Sequence, residues 1–272
     1  MMRNKKIRHA GILLLLIFPL PWLTGQEANL DSLELSLVNN YQDIMEQNAY
    51  KRDNKAFAFF RQFISTLHQN GTYDYPFDSL KYVGKIYSPD HNIRVFTWNI
   101  PVGMDGNLYF GCVQYYSKPD KVFRVIPLHS NGTDVTTDSL GWHGALYYQI
   151  VESKHAGQKY YTLLGFDLNN AFSNKKVIDI IAIDPYGELY FPKQLFLYNS
   201  KPADRIVFEY NEQAQMMLRY DKGLKMIVFD HLSPDKPSQE GNFQFYGPDM
   251  STDGLKFEKG VWVLHKDIIV KN

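Results

Sequence analysis

The chain has almost no cysteine: Cys112 stands alone among 272 residues. An intramolecular disulfide is therefore excluded, and the fold must be held by its own apolar core. Beyond the first ten residues no basic cluster exceeds a pair such as Lys175 and Lys176. The electrostatic footprint of nucleic-acid binding is missing, so nucleic acid is not an expected partner. Histidines never fall at a metal-ligand spacing such as H-x-x-x-H; His68, His91, His129, His155, His231 and His265 are scattered. No metal and no cofactor is expected from the pattern. Long apolar runs are also scarce, the longest being the 14 residues from Ala10 to Leu23. A spanning helix needs roughly 20.

That one run has a different meaning. Arg3, Lys5, Lys6 and Arg8 precede it with no acidic residue, and Pro19 and Pro21 break its far end before Thr24 and Gly25. This is the n-region and h-region order of a cleavable secretory signal over residues 1–25, with Gln26 leading the mature chain. Leu23 is a poor small-residue match at the cleavage site, which keeps an uncleaved anchor as the alternative. No cysteine lies near the cut, so a lipoprotein anchor is excluded. Removing four basic residues and no acidic one leaves 25 basic against 29 acidic, a net charge of −4. The mature chain is expected to be exported to the periplasm or cell surface, without stable membrane insertion.

Residues 26–72 read as a helical segment. Asp31, Ser32, Leu33 and Glu34 resemble a capping box, and Leu33, Leu37, Tyr41 and Ile44 recur at helical spacing. A second helix begins after Asp53 or Asn54, with Phe57, Phe60, Phe63, Ile64 and Leu67 on one face and Asn70-Gly71 as its stop. Both apolar stripes need cover, which predicts that the helices dock on an edge or face of the remaining 200 residues.

Residues 73–272 read as a β-rich domain. Short aromatic and β-branched runs, among them Ile93–Ile100, Leu108–Tyr116, Val122–Leu128, Lys159–Phe166, Val177–Ile183, Phe243–Tyr246 and Val261–Leu264, alternate with Pro, Gly, Asn and Asp. The expected fold class is mainly β, an antiparallel meander (propeller-like, barrel or sandwich) with two N-terminal α-helices. Pro-Asp pairs at Pro89, Pro119, Pro234 and Pro248 predict turns. Val177–Ile183 lacks the strict alternation of an outer-membrane barrel strand.

Candidate chemistry is sparse. Trp142 and His143 lie in a Gly-Trp-His-Gly stretch, where a flexible backbone presents an imidazole beside an aromatic wall; an ordinary turn is the competing reading. Asp249, Ser251, Asp253 and Gly254 mimic the start of a calcium loop, but Gly260 stands where a bidentate glutamate should close it, so a polar turn explains them better. Tyr115-Tyr116, Tyr147-Tyr148 and Tyr160-Tyr161 each place one ring on either face of a strand, which predicts outward rings able to stack on sugars or a partner protein. Cys112, in an apolar strand, reads as a packed thiol.

Asp-Ser-Leu occurs at Asp31, Asp78 and Asp138 and resembles the acceptor of a periplasmic O-glycosylation system of Gram-negative bacteria, which implies Ser79 and Ser139 as glycosylation candidates. Asn70-Gly71-Thr72 and Asn131-Gly132-Thr133 fit an N-glycosylation acceptor that a bacterial export route would not use. The stretches Tyr160–Asp167, Met226–Pro234, Phe243–Asp249 and Gly260-Val261-Trp262 together resemble a group of uncharacterised exported proteins of bacteroidete-type bacteria. That resemblance implies a compartment and no activity. The expected function is binding of a partner protein or glycan; the alternative is a glycan-directed hydrolase using loop carboxylates, which requires two of them to converge in a pocket.

Overall fold

A computed structural model describes residues 29–104, 106–129 and 141–270. The expected signal (1–25), Asn131-Gly132-Thr133 and Ser139 lie outside the described residues. Helices α1 (Leu30–Glu46) and α2 (Asp53–Leu67) come first. Asn29, rather than Asp31, caps α1, its side chain accepting from the Ser32 backbone N–H at 3.1 Å. Glu34 does not reach back to form a capping box. It is buried, and its Oε1 accepts from the backbone of Ser79 (2.6 Å) and Leu80 (3.2 Å) while its Oε2 accepts from Tyr75 Oη at 2.8 Å. The carboxylate thus fastens the helix to the segment that leads into the sheets.

Strands β1 (Gly84–Tyr87), β2 (Ile93–Val102), β3 (Gly106–Ser117) and β4 (Val122–His129) form a first sheet in sequential order. Strands β5 (Leu146–His155), β6 (Gln158–Asp167) and β7 (Ser173–Ile183) begin a second sheet, with β8 (Leu189–Tyr190) added to β7. The chain then builds β9 (Phe196–Tyr198) and β10 (Lys201–Ala203) into a third sheet. It returns to pair β11 (Ile206–Asn211) with β7 and completes the third sheet with β12 (Leu218–Asp221), β13 (Met226–Pro234), β14 (Tyr246–Glu258) and β15 (Val261–His265). The pairing is antiparallel as expected, except that β15 and β9 run parallel.

Side-chain alternation stacks these elements in four layers. On β2, Phe96, Trp98 and Ile100 join Phe59, Phe60 and Phe63 of α2 in one core, while Ile93 and Val95 face Tyr161, Leu163 and Val177 of the second sheet. On β7, Val177 and Ile181 face the first sheet, whereas Ile178 and Ile180 meet Phe208, Phe229 and Trp262 in the third core. The continuous apolar run of Val177–Ile183 is that of a strand buried on both faces. Trp262 Nε1 donates to Thr162 Oγ1 at 2.9 Å, satisfying both polar groups between second and third sheets. The helices cover a face of the first sheet, not an edge. Among the described residues no sheet closes into a barrel, and helices occupy the face that a closed propeller ring would need.

Two other expectations change. Phe243–Phe245 is a 3₁₀ turn, and β14 begins only at Tyr246, so Asp249–Gly254 is strand rather than turn. It is an irregular strand: the β13–β14 register shifts between Asp230 and Leu232, and Met250 opposite this shift has φ of 72°. The Pro248-Asp249 pair is absorbed into that bulged strand, whereas Pro89-Asp90 and Pro119-Asp120 make the expected turns. Cys112 is fully buried, and burial pushes its thiol pKa well up, as a packed core thiol requires.

Candidate functional site

Three hairpin tips meet at one end of the first two sheets. The β5–β6 turn, Ala156-Gly157, has φ of 46° and 87°, the two left-handed residues that a two-residue hairpin matched to strand twist demands. Between β7 and β8, Asp184 Oδ1 accepts from the backbone of Tyr186 (2.9 Å) and Glu188 (2.8 Å). Gly187, between them, has φ of 88°; a Cβ there would sit 2.5 Å from Ser117 Oγ, so only glycine lets this turn approach the β3–β4 hairpin. Tyr115 Oη donates to the Gly187 carbonyl at 2.9 Å and pins the contact.

The tips enclose a cleft of about 630 Å³, lined by Lys118, Lys154, Lys159, Gln158, Tyr161 and Asp184 together with the turn backbone. That volume is within the range of small-ligand sites. At its wall Asp90 accepts from Lys159 Nζ (2.5 Å), Tyr161 Oη (2.9 Å), Ser88 Oγ (2.7 Å) and Asn92 Nδ2 (2.5 Å). Partial burial alone would raise the Asp90 pKa; the bonds from Lys159, Ser88 and Asn92 outweigh it and hold the carboxyl well below the usual range. Tyr161 shifts upward, by burial first and by the Asp90 charge second. Lys159 also bridges to Glu152 at 3.0 Å, and these bonds raise its pKa.

The charged groups here are unevenly paired. Asp90 and Glu152 share the single charge of Lys159, and Asp120 and Glu188 share that of Arg124, so each cluster keeps a net charge of −1. Among the described residues Asp184 is the only carboxylate lining the cleft, and it is engaged in its own turn. Lys118 and Lys154 are exposed and form no ion pair among the described residues. The cleft therefore offers two free ammonium groups and no free carboxylate pair.

The residues singled out from sequence lie elsewhere. Trp142 presents no aromatic wall: it is buried between the first and second sheets, and its Nε1 donates to Tyr147 Oη at 3.0 Å. Its neighbour His143 is set by Nε2 against Asp167 Oδ2 at 3.1 Å. Burial would raise the Asp167 pKa, but bonds from His143, the Asn169 backbone and Tyr109 lower it overall. Asp249 and Asp253 are brought together by His231, whose Nδ1 lies 3.0 Å from Asp253 Oδ2 and whose Nε2 lies 3.9 Å from Asp249 Oδ2. Asp253 also accepts from the Asp267 backbone at 3.0 Å, so it ties the C-terminal segment to β14. No cluster of His, Cys, Asp and Glu suited to a metal ion exists among the described residues.

Ser79 is exposed in the segment before β1, with its backbone N–H donated to Glu34. Thr72, by contrast, is buried and donates its hydroxyl to Leu67 O (2.8 Å) and Gln69 O (2.9 Å), which withdraws the Asn70 acceptor sequence from any transferase acting on the folded chain. Among the doubled tyrosines Tyr116 and Tyr148 are exposed, Tyr148 with its Oη donating to Leu218 O at 2.8 Å, while Tyr160 packs against Phe257. Sequence reasoning missed Lys118, Lys154 and Lys159 because lysines on three separate hairpins carry no mutual spacing signal. No helix among the described residues is long and apolar enough to cross a membrane. No protein-family model, no curated protein and no solved structure matches this chain.

Proposed function

We propose that the protein is an exported binding protein, without catalytic activity, whose hairpin-tip cleft takes a glycan bearing acidic groups. The observation that carries this reading is the unpaired state of two lysines in the cleft. Every carboxylate described at its wall is paired or engaged in a turn, while Lys118 and Lys154 have no ion-pair partner among the described residues. A ligand carboxylate or sulfate would complete them through charge-assisted hydrogen bonds. The remaining lining, Gln158, Tyr161 and turn backbone, suits hydroxyl groups.

The pairing weighs against the hydrolase alternative: general acid–base cleavage needs two convergent carboxyl groups of opposed protonation state, whereas Asp90 and Glu152, which converge on Lys159, are both bound to its ammonium. Export rests on the residues before Gln26, and intact mass of the secreted species should show that residues 1–25 are lost. Retention of Leu13–Leu16 in that species would overturn this part. For the cleft, calorimetric titration with carboxylated oligosaccharides should give saturable binding. Neutral oligosaccharides should not compete there, and Lys118→Ala with Lys154→Ala should weaken the affinity about tenfold or more, since a hydrogen bond to a charged group is worth about 1.5–3 kcal/mol. Equal affinity for the double variant would refute the assignment.

A further inference from the structure

Beside the β3–β4 hairpin, a groove of about 430 Å³ runs between the end of α2 and the start of β4. Its wall is an aromatic stack. Tyr73 is fixed by its hydroxyl on the His91 carbonyl at 2.6 Å and by the edge of Tyr87 at 6.0 Å between centroids. Phe123 stacks on Tyr73 at 4.6 Å with the planes 28° apart, and Tyr116 meets Phe123 edge-on at 5.3 Å. The outer part of the stack is open to solvent, Phe123 being 49% exposed and Tyr116 39%.

Around this platform stand His68, Gln69, Asn70, Asp74 and Lys121, all exposed and all lining the groove. None of these five side chains makes a hydrogen bond or ion pair among the described residues, so donors and acceptors of both kinds are free. Gln114 lies deeper. Its Nε2 donates to Leu67 O (3.2 Å) and Thr72 Oγ1 (3.1 Å), and its buried Oε1 has no hydrogen-bond partner among the described residues; neither has Nε of Arg94, the residue opposite it on β2.

We infer that this groove is a saccharide-stacking subsite for a neutral pyranose chain, with Phe123 as its platform. The axial C–H face of a pyranose carries partial positive charge and is attracted to the negative face of an aromatic ring. Its equatorial hydroxyls radiate sideways, where the free amide, imidazole, carboxylate and ammonium groups stand. An apolar partner protein would instead leave those five polar groups to be desolvated without compensation. The site is distinct from the lysine cleft: its polar groups are of mixed charge, and Tyr116, at the end of the stack, is the one residue of the stack that also borders that cleft.

Phe123→Trp places a fluorescent reporter in the platform. Titration with β-glucan, α-glucan, mannan and chitin tetrasaccharides should give a saturable emission change with at least one of them. Phe123→Ala should weaken the same ligand at least tenfold by calorimetry, whereas Lys118→Ala with Lys154→Ala should leave it unchanged. The last comparison separates this inference from the reading of the cleft. Absence of a response to all four classes, or equal binding by Phe123→Ala, overturns the subsite. Self-association of the wild type that Phe123→Ala abolishes would also overturn it, by making the platform an interface between copies.

Discussion

Asp179 Oδ1 accepts from Arg205 Nε at 2.6 Å, and its Oδ2 accepts from Tyr147 Oη at 2.6 Å, so one carboxylate buried between the first and second sheets is closed from both sides. The arrangement continues outward, Arg205 donating to the Gly141 carbonyl at 2.9 Å. Tyr147 is fully enclosed, and burial, with the Asp179 charge as the second cause, pushes its pKa well up, which keeps it a donor. Replacing Arg205 by Ala leaves a buried carboxylate without its cation. Urea unfolding should show a loss of about 3 kcal/mol or more, partly restored by Arg205→Lys. An unchanged midpoint would mean that Asp179 is reached by solvent.

Phe63 is fully buried and touches Phe59, Phe77, Phe96 and Trp98, which joins α2 to the first sheet. Phe63→Ala should cost about 3–5 kcal/mol, read as a lowered thermal midpoint. A chain beginning at Tyr73 would bare Phe96, Trp98 and Phe110, and it should aggregate or remain unfolded. If that shortened chain melts as a monomer like its parent, the helices are not integral to the fold.

The acid dependence of stability should carry a contribution from Asp90. Its folded pKa is depressed below the unfolded value of about 4. The stabilisation is therefore present above about pH 4 and lost as pH falls through the folded pKa. Asp90→Asn should lower stability at neutral pH and flatten the decline below about pH 4, checked by denaturant titrations across roughly pH 2–7. Parallel curves for the two proteins would contradict the assignment.

The helices and most strands were legible because burial writes a period into the chain: about 3.6 along Phe60, Phe63 and Leu67, and about two along Phe96, Trp98 and Ile100. Short strands were not. Strands β8, β9, β10 and β12 have two to four residues each, too few for a period to show. The meander expectation missed the chain's excursion through β9 and β10 because crossing between sheets leaves no local trace. Trp142 read as an exposed wall because Gly141 and Gly144 flank it; its burial depends on Tyr147 and on the sheet opposite. The lysine cleft depends on three turns that are far apart in the chain, and only folding brings Lys118 and Lys154 to one cavity.

Salt dependence of binding tests the central claim most directly. Calorimetric titration of a carboxylated oligosaccharide, at low and at physiological ionic strength, should show affinity falling as salt screens the ammonium groups. The double variant Lys118→Ala, Lys154→Ala should bind weakly and lose most of that salt dependence. Affinity that is insensitive to salt and to both substitutions would contradict the assignment of the cleft as an acidic-glycan site.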